Sequence, residues 1–128
     1  MSAKDLLRWL VGAIAAITVV SGLTQMLAPG FVLTMIGGQV TPASAHFFGI
    51  IGMFMLLFGG ALLHEILSTP PQPIVALWAA LQKCGAVAAV GLGVFRHIFS
   101  PSALLVSGFD LISALFIFWY WWRIWQNG

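Results

Sequence analysis

Lys83 and Asp110 have the strongest claim to chemistry in this sequence, because each stands inside a long apolar run. Lys83 is flanked by Gln82 and Cys84 within residues 74–95, and Asp110 lies between Ser107 and Ser113 within residues 104–122. A charge at the bilayer centre costs roughly 3 kcal/mol or more unless protein or water satisfies it. Counted at ~1.5 Å per residue from the two ends, Lys83 lies ~14 Å below one face and Asp110 ~12 Å below the other. In a hydrocarbon core of ~30 Å those depths differ by only ~5 Å, which a lysine side chain spans. The spacing therefore predicts a Lys83–Asp110 pair within salt-bridge or one-water reach. Gln82 and the hydroxyls of Ser107 and Ser113, on the Asp110 face, would support it. Such a pair either locks two helices together as a structural ion pair or serves a proton relay or polar ligand site.

The three histidines are the next candidates. His46 opens one apolar run and His97 follows another, so both fall at the same membrane boundary. Two imidazoles from two helices are what a bis-His haem needs, and a single one can ligate a chlorophyll-type pigment. Hydrogen bonding in the wet boundary is the plainer role. His64 shares a helix face with His46 but lies ~27 Å away at the helical rise, too far for one metal. His64-Glu65 is not half of a zinc motif, since Ser68 stands where the second histidine would be required. The single cysteine, Cys84, excludes an intramolecular disulfide and is expected to be a buried, inert thiol. No metal site and no catalytic set is legible.

The elements that must position these groups follow from composition. Hydrophobic residues make up 61% of the 128 and charged residues 6%, a balance that a lipid-facing surface requires and a soluble domain of this size could not bury. A formal charge of +2 is too small to argue for nucleic acid and no basic run exists, so no nucleic-acid partner is expected. Four spans are expected in a single transmembrane domain, at residues 9–27, 45–63, 74–95 and 104–122. Only helices satisfy their own backbone in lipid, so the expected fold is an all-α antiparallel four-helix bundle. The first run is read as an uncleaved helix, because its length is large and its cleavage pattern poor for a signal peptide. Pro29-Gly30 stops it, and residues 31–38 are too short to cross, which predicts a short interfacial segment. Thr41 is the expected N-cap of the second span with Pro42 at its first position. Pro70, Pro71 and Pro73 make the next turn stiff.

Small residues predict close helix approach at Gly49 and Gly52, with Gly59-Gly60, on the second span, and along Gly85, Ala89 and Gly93 on the third. The second span's Phe and Met residues (Phe47, Phe48, Met53, Phe54, Met55, Phe58) are expected to face lipid or a partner. Four spans put both termini on one side, with Lys4, Arg8 and Arg123, against Arg96 on the other. The positive-inside rule then places both termini in the cytoplasm.

The segments Ala28-Pro29-Gly30-Phe31, Ile36-Gly37-Gly38, His46-Phe47-Phe48-Gly49-Ile50-Ile51-Gly52 and Leu57-Phe58-Gly59 together resemble the small DoxX-like four-span membrane proteins of bacteria, over about the first half of the chain. The resemblance implies a bacterial cytoplasmic or derived internal membrane and a link to membrane redox complexes or their assembly. It carries no catalytic residue. The first functional expectation is a non-catalytic accessory subunit of a larger, energy-transducing membrane complex, in contact with other subunits or with itself. The alternative is a membrane-embedded module that binds a quinone, haem, pigment or lipid at Lys83 and Asp110 or at His46 and His97. A small transporter or channel is third.

Overall fold

The computed structural model describes residues 2–127. Five helices follow in order: α1 (Ala3–Leu27), α2 (Pro29–Met35), α3 (Pro42–Leu67), α4 (Pro73–Phe95) and α5 (Ala103–Gln126). All but α2 are long and apolar enough to cross a membrane, and the chain is an integral multi-pass membrane protein. Even α4, with 23 residues, is ~34 Å long at the helical rise, more than a ~30 Å hydrocarbon core.

The helix ends follow from local chemistry. Ser2 caps α1 by accepting the Asp5 N–H at 3.2 Å. Thr41 and Ser44 cap α3 reciprocally, each side chain accepting the other's backbone N–H, with Pro42 as the first helical residue. Pro29 does more than end α1, since it also opens α2, and Ala28 is the single residue between the two helices. The C-terminal ends of α2 and α4 close in the same way. Gly38 N–H donates to Leu33 O and Gly37 N–H to Thr34 O, while Ile98 N–H donates to Gly93 O and His97 N–H to Val94 O. In both motifs one residue turns left-handed: Gly37 at φ 74° and, less usually for a side-chain-bearing residue, His97 at φ 58°.

The long helices pack as two antiparallel pairs, α1 with α3 and α4 with α5, and the pairs touch each other far less. In the first pair the backbones nearly meet. A methyl group placed on Gly22 would lie 2.6 Å from Leu56 N and 2.7 Å from Gly52 O, and one on Gly52 would lie 2.7 Å from Gly22 O. Two apolar cores join the pairs. One, at the end carrying both termini, contains Val11 and Ala15 of α1, Ile66 of α3, Ala76 and Ala80 of α4, and Ile117 of α5. The other, at the opposite end, gathers Leu33, Ile36 and Ala103 with Phe48, Val90 and Phe99. There the loop before α5 is latched to α2: Ser100 N–H and hydroxyl both donate to Ile36 O, and the Ser102 hydroxyl donates to Met35 O.

Several expectations about helix faces need correction. Gly85 points outward, and nothing lies within 4 Å of where its Cβ would be. Gly93 is buried, but it receives the Phe99 ring rather than another helix. The reason is geometric: each four-residue step advances ~40° around an α-helix, so Gly93 stands ~80° from Gly85. Ala89 lines a cavity instead of a helix contact, and Gly49 meets α1 only at ordinary van der Waals distance. Among the aromatic and Met residues of α3, Phe47 and Phe54 are exposed, whereas Phe48 and Met55 turn inward to that same cavity. Cys84 lies on the outer surface of α4 and is not buried.

Candidate functional site in the membrane interior

Between the two apolar cores, α3 and α4 part and leave a cavity of about 380 Å³. Lys83 and Asp110 both line it. Their positions follow from the α4–α5 pairing, which sets Lys83, ten residues into α4, beside Asp110, seven residues into α5. Lys83 Nζ donates to Asp110 Oδ1 at 3.0 Å, with the two residues 4% and 8% exposed. The ammonium also stands 5.3 Å from the centre of the Phe109 ring, close enough for an attractive cation–π contact.

The ammonium has three N–H donors, and among the described residues Asp110 is its one hydrogen-bond partner. Two donors thus remain beside the cavity. The wall is mostly apolar, ten side chains including Phe48, Ile51, Met55 and Phe99, against four polar ones, Gln25, Gln82, Lys83 and Asp110. This division selects for an amphipathic guest: an apolar body along the wall and a polar group at the ion pair.

The expected supporting groups are placed differently from one another. Gln82 is in the cavity wall next to Lys83. The Ser107 hydroxyl donates to Val87 O at 3.4 Å, bracing α5 against α4 rather than turning to Asp110. Ser113 is packed in the interior at 1% exposure. The histidines are not brought to this site. His97 lines an open depression with Gly37 and Thr41, His46 lines a separate one beside Pro29 and Pro42, and His64 is exposed on the last turns of α3. Among the described residues no three His, Cys, Asp or Glu side chains gather as a metal site would need.

No family model, curated protein or solved structure matches the chain. The likeness to the DoxX-like proteins therefore rests on the quoted residues alone.

Three polar residues, Gln25, Arg8 and Glu65, make contacts that the sequence does not announce. Gln25 of α1 is 6% exposed and donates through Nε2 to Phe48 O at 2.9 Å, tying α1 to α3 at the cavity rim. Near the termini, Arg8 donates through Nε to Ile66 O at 2.9 Å, and again through Nη2, which satisfies a carbonyl left open at the end of α3. Glu65, in the last turn of α3, is 2% exposed. Its Oε1 accepts from the Tyr120 hydroxyl at 3.1 Å and from Gln72 N–H at 3.2 Å, while Oε2 has no partner among the described residues. The signal was positional: Glu65 lies three residues past Leu62 and precedes Ile66, both buried on the same face of α3.

Proposed function

We propose that this protein is a membrane-embedded binding module for an amphipathic, lipid-soluble ligand, with a quinone or similarly headed lipid as the best chemical match. The observation that carries the reading is the ion pair at the wall of a mostly apolar cavity in the bilayer interior. A ligand carbonyl would accept from the spare donors of Lys83, and a hydroxyl would donate to the Asp110 carboxylate. The ring or chain would lie against Phe48, Ile51 and Phe99. Because Asp110 already holds Lys83 in place, little ordering is left to occur on binding. The DoxX-like resemblance, with its link to membrane redox complexes, supports the same ligand class. A haem or chlorophyll-type pigment has less support, since His46 and His97 open onto different depressions. The charge distribution supports a cytoplasmic membrane with both termini inside, and the resemblance a bacterial one.

The test is extraction. Protein purified in mild detergent and extracted with organic solvent should release such a lipid in stoichiometric amount, identified by mass spectrometry. Ala86→Trp places an indole in the cavity from the α4 wall and should abolish the recovery at unchanged helix content. Equal recovery from the variant, or none from the wild type, overturns the proposal.

One observation favours a second reading, that of an accessory subunit. Cys84, Gly85 and Ala88 form an exposed patch of small side chains on α4, and such surfaces allow close approach of another helix. Co-purification of a stable partner from native membranes would support it, and a solitary monomer there would defeat it.

A further inference from the structure

The end of the bundle that carries both termini gathers three of the chain's five Lys and Arg residues on one cavity. Lys4 and Arg8 come from the start of α1 and Arg123 from the end of α5. With the α3–α4 turn they enclose a space of about 240 Å³. Asp5 shares the lining, and the buried Glu65 carboxylate is held against Tyr120, which also lines it. Even with both acids ionised, positive charge is in excess.

Lys4 and Arg8 are four residues apart and so share a face of α1, an arrangement of like charges that destabilises a helix by itself. An anion between them reverses the sign of that interaction. Arg8 is also preorganised. Its Nε and Nη2 are fixed on Ile66 O, and of five guanidinium donors three remain, in the planar fork that matches phosphate oxygens. Thr69 of the turn adds a hydroxyl, and Leu7, Ile66 and Ile124 give the cavity an apolar floor.

Tryptophan fixes the depth. All six tryptophans of the chain, Trp9, Trp78, Trp119, Trp121, Trp122 and Trp125, lie on the turns of α1, α4 and α5 nearest this end. Tryptophan concentrates at the membrane–water interface, so the basic cavity opens at the level of the lipid headgroups.

We infer that this cavity binds the phosphate group of an anionic lipid headgroup, with Lys4, Arg8 and Arg123 contacting the phosphate and Leu7, Ile66 and Ile124 the start of the acyl chains. The site is separate from the cavity at Lys83 and does not depend on its function.

Native mass spectrometry of the detergent-purified full chain tests this, with phosphatidylglycerol and phosphatidylcholine of identical acyl chains as probes. Phosphatidylglycerol should be retained as a one-lipid adduct, and phosphatidylcholine should not. Each basic residue at an anionic surface is worth about a fivefold change in affinity, so Lys4→Gln with Arg123→Gln should weaken retention about twentyfold or more. Both variants leave the Arg8–Ile66 contact, and hence the fold, in place. Arg96→Gln, at the other end, should change nothing. Equal retention of the two lipids, an unaffected double variant, or an equal loss with Arg96→Gln overturns the site. Displacement of the lipid by excess glycerol phosphate would make a soluble phosphate ester the ligand and overturn the lipid assignment.

Discussion

The two helix pairs are held together by different physics. Among the described residues no ion pair joins α1 and α3, and the contact depends chiefly on small residues: Gly22, Gly52 and Gly59 let backbone approach backbone. Between α4 and α5 the glycines Gly85, Gly91 and Gly108 meet nothing within 4 Å, and a buried Lys83–Asp110 bridge does the joining. In lipid, where apolar side chains gain little by leaving one apolar medium for another, close packing and polar links are the two available adhesives. The α1–α3 pair relies chiefly on close packing, supplemented by the Gln25–Phe48 O and Arg8–Ile66 O hydrogen bonds, whereas the α4–α5 pair adds a buried ion pair. The difference has a functional side. The glycine-packed pair leaves no room, whereas the pair joined by charge brings a polar group to the cavity where α4 parts from α3.

The comparison breaks most sharply at Gly22. A Cβ there would fall 2.6 Å from a backbone nitrogen that cannot move aside, so Gly22→Leu must push α1 off α3. The expected loss exceeds about 3 kcal/mol, read as early unfolding in mixed SDS–detergent micelles followed by circular dichroism. The next effect belongs to the other pair. Lys83→Met leaves Asp110 buried and alone and should cost about 3–5 kcal/mol, while Lys83→Met combined with Asp110→Leu should recover most of that loss. A double-mutant cycle in the same unfolding assay measures the difference. If the double variant is as stable as the wild type and yet loses the extractable lipid, the pair is there for the ligand rather than for the fold.

What the sequence could announce follows from the same contrast. Helix number and ends are written in apolar length and in Pro29, Pro42 and Pro73, each of which stands first in its helix. Lys83 and Asp110 stand out because a charge inside an apolar run is conspicuous. The faces were not legible, because α3 and α4 are apolar nearly all round and periodicity cannot tell lipid from protein. Gly22 therefore went unnoticed while Gly85 was assigned a contact that it does not make. Gln25 and Glu65 were hidden for another reason: their partners, Phe48 O and the Tyr120 hydroxyl, lie 23 and 55 residues away. Only the packing of α1 on α3 and of α3 toward α5 brings them together.

A smaller effect sits where the two pairs meet. Tyr120 of α5 donates to Glu65 of α3, a direct side-chain link from one pair to the other. Tyr120→Phe leaves the Glu65 carboxylate with the Gln72 N–H as its remaining donor. A buried acceptor that loses its partner costs about 1–3 kcal/mol. The same unfolding curves should show this loss, placing it below the Lys83→Met effect.

The smallest effect is expected at Gly85, and it separates the two functional readings. A methyl group there meets nothing in the protein, and alanine is favoured over glycine inside a helix by about 1 kcal/mol. Gly85→Ala should thus leave the isolated chain as stable as before or slightly more so. A bulkier Gly85→Leu should be equally harmless to the fold, because the space around a Cβ at this position is open. If the exposed Gly85 face is where another subunit packs, the same leucine would hold that partner's backbone away. Co-purification from native membranes would then fall although the unfolding curve does not move. An unchanged set of co-purifying proteins leaves this face to lipid and removes the main support for an accessory subunit. The cavity at Lys83 would then be the functional feature of the membrane interior.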